Sequence, residues 1–194
     1  MRIGVFASGQ GTTFAALVEA GRRGLMPAEV VLLIASRAEV PALARADQLG
    51  VASAVADERT IGPEAADAAA LSLLQAHGVE LVVLAGYLRK IGRRTLAAFT
   101  GRMLNTHPAP LPRFGGKGMY GEHVHRAVLE AGVAESAASV HLVDAEYDTG
   151  PLLAEAPVPV LPGDNVQTLQ TRVQTVERQL LIETIADYAT RRAG

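Results

Sequence analysis

Apolar residues fall along this chain in short bursts, each followed by a segment with helical spacing. Residues 2–7, RIGVFA, are the first burst and lead into SGQGTT; Phe14, Leu17, Val18 and Gly21 then recur at helical spacing, with Gly24 as the stop. The unit of strand, loop and helix repeats. EVVLLIAS (29–36) precedes a helix near PALARADQLG, ASAVA (52–56) a helix over PEAADAAALSLLQAHG, and LVVLAG (81–86) a helix over RRTLAAF, before a fifth strand, RMLNTH (102–107). Strands that are apolar on both faces and alternate with helices predict a parallel sheet covered on both sides.

The last third changes rhythm. ASVHLV (138–143) and PLLAEAPVPV (151–160) are separated by DAEYDTG, too short for a crossover helix, so an antiparallel pair is expected. A long helix closes the chain. Asp164 and Gln167 have capping-box spacing, and Val166, Leu169, Val173, Val176 and Leu180 form its apolar stripe. The expected fold is α/β: a Rossmann-like open, mostly parallel sheet with helices on both faces and an antiparallel C-terminal strand pair. No repeat, low-complexity tract or linker is found, so one domain over 1–194 is expected.

Composition narrows the function classes. Apolar residues make up 49% and charged residues 20%, a globular balance rather than a disordered one. With 18 Lys and Arg against 20 Asp and Glu, no broad basic footprint for nucleic acid exists. Cysteine is absent, which excludes disulfides and thiolate zinc sites. The N-terminus enters a strand directly, and no run approaches the ~18 apolar residues of a membrane span, so a cytoplasmic protein without membrane partners is expected.

The loop GQGTTF (9–14) lies between a first strand and a first helix, where backbone N–H groups and the helix dipole favour an anion. It reads as a tight turn needing glycine or as a phosphate cradle. A Walker A loop is excluded, since no Gly-Lys-Ser/Thr follows. A dinucleotide fingerprint is weak because Phe14 stands where the third glycine belongs, although Arg37 in SRAE would suit a 2′-phosphate.

LNTHPAPLPRFGGKGMYG (104–121) carries the candidate chemistry. In a strand, Asn105 and His107 project to one face at the carboxyl end of the sheet, where open α/β sheets bind ligands. Pro108 then leaves the ladder, and the Pro/Gly loop gives the backbone room to border a cleft. Such a pair suits acyl-type transfer, with an amide N–H donating to an oxyanion and imidazole moving a proton near neutral pH. A carboxylate is needed beside the imidazole; Asp148, Asp144 and Glu146 are the candidates. The plainer reading makes Asn105 and His107 satisfied strand-end caps. His141, which shares a face with Ser139, reads as a packed or hydrogen-bonded neighbour, and His123 and His125 as surface or helix-start residues. A metal site of His107, His141 and Asp148 lacks a ligand-spacing motif, so no metal is expected.

ASGQGTTFAAL, LVVLAGYLRKIG, LNTHPAPLP, HRAVLEAG, SVHLVDAEYDTGPLL and RVQTVERQLL, in this order from residue 1 to about 185, resemble the phosphoribosylglycinamide formyltransferases of purine synthesis. The resemblance implies transfer of a formyl group from 10-formyltetrahydrofolate, as co-substrate, to the amine of glycinamide ribonucleotide. Asn105, His107 and Asp148 match the family's catalytic trio. Gly11, Thr12 and Thr13 match its phosphate cradle, and Glu177 the carboxylate that holds the ribose hydroxyls; on spacing alone Glu177 reads as a solvated helix face. Leu88, Arg89 and Ile91, with Asp144 and the backbone around 144–148, match the folate pocket, Arg89 facing the glutamate tail. The chain would then divide into a phosphate-binding half, 1–100, and a catalytic and folate-binding half, 101–194, acting as a monomer or homodimer on small molecules.

Two positions depart from the family pattern. Thr13 stands where many members carry Asn, and RFGGKGMYGEH is longer than the commoner short loop. Lys117, in that loop, is either a contact to an anionic substrate group or an exposed charge. Arg93 and Arg94 read as a solvated helix face. The competing readings are a formyltetrahydrofolate hydrolase, which usually adds an N-terminal domain, and a methionyl-tRNA formyltransferase, which needs a basic carboxyl domain. A non-catalytic NADP-type module would leave Asn105, His107, Asp148 and Glu177 without a shared explanation.

Overall fold

The computed structural model describes residues 1–193. Seven strands alternate with helices in the order β1 (Arg2–Ala7), α1 (Thr12–Arg22), β2 (Glu29–Ala35), α2 (Ala42–Gln48), β3 (Ala52–Val55), α3 (Glu58–Ile61), α4 (Pro63–Ala76), β4 (Leu81–Leu84), α5 (Arg93–Ala98) and β5 (Met103–His107). Then follow α6 (Glu122–Glu130), β6 (Glu135–Leu142), β7 (Leu152–Pro159) and α7 (Val166–Ala193). The sheet runs β3-β2-β1-β4-β5-β6-β7. Strand β1 pairs parallel with β2 and β4, and β2 with β3, whereas β6 and β7 are antiparallel. This is the expected sheet. Apart from Arg2, β1 is buried throughout, as is all of β4, which is why these strands show no polar alternation.

The chain forms two compact units: residues 1–104 with the end of α7 from Ile185, and Asn105–Thr184. In the first unit, Gly11 sits at the N-cap of α1 with φ 72°. A Cβ there would meet the Ala42 Cβ at 2.7 Å, so both conformation and packing require glycine. The one-turn helix α3 has no counterpart in the sequence reading. Four residues are too few to show a period; what starts it is Asp57, whose carboxylate accepts from the Arg59 N–H at 3.1 Å.

In the second unit, Val124 and Val128 of α6 and Leu169 and Val173 of α7 are buried with Ala109, Phe114, Ala138 and Val158. Val176 and Leu180 pack partly against this core, so the expected stripe meets it from Leu169 to Leu180. The expected cap is displaced by one residue. Asn165 Oδ1 accepts from the Thr168 N–H at 3.0 Å and Thr168 Oγ1 from the Asn165 N–H at 3.0 Å, a reciprocal cap that leaves Asp164 outside. Asp164 instead meets Arg172 through two bonds of 2.7 and 2.9 Å and accepts from the Leu161 N–H at 2.8 Å.

The Arg172 guanidinium, followed by the Leu161 N–H, holds the Asp164 carboxyl well below the usual carboxylate range. A carboxyl depressed on folding stabilises fully above its unfolded value of 3.8 and loses that contribution as pH falls below it. Asp164→Asn is therefore expected to lower the melting temperature at neutral pH, with the gap to wild type closing as pH drops toward 2. A gap that persists in acid would show that the charge is not its source.

Candidate active site

Alternation along β5 sends Asn105 and His107 to one face and Thr106 to the other. His107 is buried, with 3% of its surface exposed. Its Nε2 lies 2.8 Å from the Phe114 carbonyl oxygen and its Nδ1 3.5 Å from Asp148 Oδ2. Of the three carboxylates considered, Asp148 is the one brought to the ring. Asp144 organises the turn before it, accepting from Thr149 Oγ1 at 2.8 Å and the Glu146 N–H at 3.1 Å. Asp148 also accepts from the Gly116 N–H at 3.0 Å and from Asn105 Nδ2 at 3.3 Å, and its Oδ1 stands 3.5 Å from His141 Nε2.

Asp148 has φ 57°, a left-handed conformation in a non-glycine residue. That region costs an L-residue roughly 1–2 kcal/mol, with Asp and Asn the best tolerated. This backbone strain sits at the residue whose carboxylate enters the cluster.

The protonation pattern follows from these contacts. Burial pushes the His107 imidazole below its ordinary value, and Asp148 and the Phe114 carbonyl oppose this without cancelling it. The ring is neutral at pH 7, and since Nε2 faces a carbonyl it carries the hydrogen; Nδ1 keeps the lone pair that faces the carboxylate. Burial acts to raise Asp148, yet the imidazolium forms of His141 and His107 and the Gly116 N–H together outweigh it, so the carboxyl lies below its ordinary value and is charged.

His141 is the hydrogen-bonded neighbour that was expected. Its Nδ1 faces the Leu142 carbonyl at 2.8 Å, leaving Nε2 to accept from Asn105 Nδ2 at 3.0 Å. Both amide hydrogens of Asn105 are thus engaged, one by His141 and one by Asp148. So engaged, Asn105 has no spare donor for an oxyanion. Catalytic hydrogen bonds commonly rearrange when substrate arrives, so an incoming oxygen has to displace one of these two partners.

The loop after β5 is tied down by side chains. Ser139 Oγ lies 2.8 Å from the Ala109 carbonyl and 2.9 Å from Glu155 Oε2, and Glu155 also accepts from the Leu111 N–H at 3.3 Å. Lys117 is exposed. At Gly150, just past the turn, an added Cβ would sit 1.9 Å from the Leu142 carbonyl oxygen, a backbone atom that no rotamer change can clear. Gly150→Ala is expected to destabilise by about 1–3 kcal/mol or more and to lower turnover by displacing Asp148. Unchanged melting temperature and turnover would contradict that constraint.

His125 corrects the sequence reading. It is 1% exposed rather than a surface residue, and its Nδ1 has no hydrogen-bond partner among the described residues. Burial, with a smaller contribution from His107, pushes it down to about 4. Helical spacing identified its helix but not which side faced the interior. His123 is exposed and meets the Tyr120 ring edge-on.

The remaining predicted residues fall into both units. In the first, Thr12 and Thr13 open α1, whose start has no side-chain cap, and Arg45 Nε donates to the Gln10 carbonyl at 2.7 Å, bracing the glycine loop. Leu88 is exposed and its N–H donates to Ser8 Oγ at 3.0 Å; Ile91 is half-buried. Arg89 is ion-paired to Glu58 of α3 at 3.0 Å, a partner hidden from the sequence because α3 itself was not legible. In the second unit Asp144 is exposed, and Glu177 is not a solvated helix face: it reaches Thr106, whose Oγ1 donates to Oε1 at 2.6 Å. Thr106, His141, the Phe114 carbonyl and the Gly116 N–H are the participants that sequence reasoning did not assign to the site. Strand alternation was the one signal available for Thr106.

A mostly parallel α/β sheet whose fifth strand carries a half-buried asparagine and a buried histidine against a charged, strained aspartate defines a Rossmann-like protein with a polar cluster at the end of β5. Comparison with known proteins specifies which. The Formyl transferase family model matches residues 1–185, and the chain belongs to that family. The phosphoribosylglycinamide formyltransferase of Mycobacterium tuberculosis (strain CDC 1551 / Oshkosh) is 42% identical over 193 residues, covering 97% of this chain and 85% of its own length. The chloroplastic phosphoribosylglycinamide formyltransferase of Arabidopsis thaliana is 37% identical; the match covers 95% of this chain but spans 64% of the plant protein. The structure of glycinamide ribonucleotide transformylase 1 from Symbiobacterium toebii superposes with a TM-score of 0.92 at 40% identity, covering 99% of this chain and 89% of that one. Among the described residues no helix is long and apolar enough to cross a membrane.

Proposed function

We propose that this chain transfers the formyl group of 10-formyltetrahydrofolate to the amine of glycinamide ribonucleotide, in the cytoplasm, as a single-domain monomer or homodimer. The observation that carries the reading is the His107–Asp148 pair: a neutral buried imidazole with its Nδ1 lone pair beside a charged carboxylate, in a member of a formyl-transferring family.

The ribonucleotide amine attacks the formyl carbon, forming a C–N bond while the carbonyl π electrons move onto oxygen. The proton lost by the amine passes through His107 Nδ1; the oxyanion then re-forms the carbonyl as the bond from carbon to the folate nitrogen breaks, and that nitrogen leaves with the electron pair and takes up the proton. Asp148 stabilises the imidazolium while His107 holds that proton. Once the oxygen displaces His141 or Asp148 from it, the Asn105 amide donates to the oxyanion; such a donor is worth ~3–4 kcal/mol. No step calls for a metal.

Gly11, Thr12 and Thr13 hold the phosphate through backbone and hydroxyl donors at the start of α1. Glu177 accepts from the ribose hydroxyls. Leu88, Ile91 and the turn at Asp144 hold the folate, and Arg89, with Glu58 on one guanidinium edge, offers the rest to its glutamate carboxylates.

The test is folate absorbance of purified protein with 10-formyltetrahydrofolate, with and without glycinamide ribonucleotide. Tetrahydrofolate formation that requires the ribonucleotide is the expected result. Formation without it would make the protein a hydrolase, and no conversion in either case would overturn the catalytic reading.

A further inference from the structure

Thr106 sits between the two residues assigned to chemistry, yet its side chain leaves their face of β5 and meets α7. Its Oγ1 stands 2.6 Å from Glu177 Oε1, the length of a charge-assisted O–H···O⁻ bond, and Thr106 is itself 8% exposed. We propose that Thr106 is a positioning residue for ribonucleotide recognition: through this bond it fixes the Glu177 carboxylate as the acceptor that a ribose hydroxyl requires. The inference rests on the proposed function, in which Glu177 receives the ribose.

Burial raises the Glu177 carboxyl above its ordinary value, opposed first by the Thr106 hydroxyl and then by Arg178 beside it on α7. From β5, Thr106 is the polar group on that face; Asn105, His107 and the Asp148 they contact lie on the other. On α6, Glu122 and Arg126 pair with each other at 3.8 Å, and the buried His125 bears on His107. A carboxyl that picks up a proton ceases to be a pure acceptor, and a Glu rotamer with no tether has to be ordered by the ligand at an entropic cost. One hydroxyl addresses both problems. A β-branched residue suits the task, because its χ1 is restricted on a strand and its methyl packs while its oxygen donates.

This arrangement also couples two steps. Asn105 and His107 are adjacent to Thr106 on the same short strand, so the carboxylate that receives the ribose is held by the backbone segment that carries the chemistry. Register between bound sugar and acid–base centre is then set within three consecutive residues.

The experiment compares wild type, Thr106→Val and Thr106→Ser. Valine matches threonine in shape and removes the donor; serine restores it. The Kd for glycinamide ribonucleotide by calorimetry, the KM of each substrate and kcat are measured across pH. Thr106→Val is expected to weaken ribonucleotide Kd and KM about tenfold, leave the folate KM unchanged, and move the acidic loss of ribonucleotide affinity to higher pH. The sign follows because the lost hydroxyl favoured the charged form. Thr106→Ser is expected to restore affinity and pH profile.

Unchanged ribonucleotide affinity in Thr106→Val, or equal losses for both substrates without rescue by serine, would overturn the inference alone. Wild-type protein that does not bind the ribonucleotide would overturn the functional reading and this inference with it. If Thr106→Val does not fold, Thr106→Ala and Thr106→Ser are compared in the same titrations, with the same outcomes deciding.

Discussion

Asp148→Asn lowers turnover at least ~100-fold with the fold intact; that is the expected result, on the general acid–base scale. The substitution isolates charge. Asparagine tolerates the left-handed backbone almost as well as aspartate, so φ 57° at this position does not itself unfold the turn. What changes is the face shown to His107. Asp148 Oδ2 stands 3.5 Å from Nδ1 and supports a proton there. An amide nitrogen in its place would donate to the Nδ1 lone pair, occupying the atom that has to accept a proton from the substrate amine. The pH profile gives a second readout. Asp148 opposes the burial that depresses His107, so without the carboxylate the imidazole falls further and the acidic limb of turnover moves to lower pH. Near-wild-type turnover with an unmoved limb would remove Asp148 from the mechanism.

His107→Ala is expected to cost ~10²–10⁴-fold in turnover, with the KM values of both substrates changed far less. It differs from the preceding variant in also affecting stability. The ring is buried, and its loss leaves the Phe114 carbonyl and the Asp148 carboxylate without that partner. Unsatisfied buried groups cost about 1–3 kcal/mol each, so a lower melting temperature is expected alongside the kinetic loss. Kinetics measured well below that melting temperature separate the two effects. A variant that is destabilised yet turns over within a few-fold of wild type would show that His107 is a structural core histidine, the plain reading that its burial alone would favour.

The fold was legible because its elements satisfy local and global demands together. The buried strands β1, β2 and β4 are apolar on both faces, which identifies a covered parallel sheet without reference to partners. The seven residues between the last two strands exclude a crossover, so the antiparallel pair followed from chain length alone. Boundaries were less exact. Helix α7 is capped by Asn165 rather than Asp164, since both residue types cap and geometry chooses between them. Helix α3 was invisible because one turn has no period, and with it went the Glu58 partner of Arg89.

The site divides along the same line. Spacing by itself set Asn105 and His107 on one face, since that follows from the pleat of any strand, and the resemblance proposed Asp148 and Glu177 as companions. Spacing did not choose Asp148 over Asp144 and Glu146; the turn did, by bringing the Asp148 carboxylate to the ring. Burial of His125, engagement of both Asn105 amide hydrogens and the Thr106–Glu177 bond were likewise decided by packing. The amino-acid sequence determined which groups stand on each element, because periodicity is a property of the local backbone. Only the tertiary structure decided which of them meet, lose water and change protonation, because those depend on contacts between residues distant along the chain.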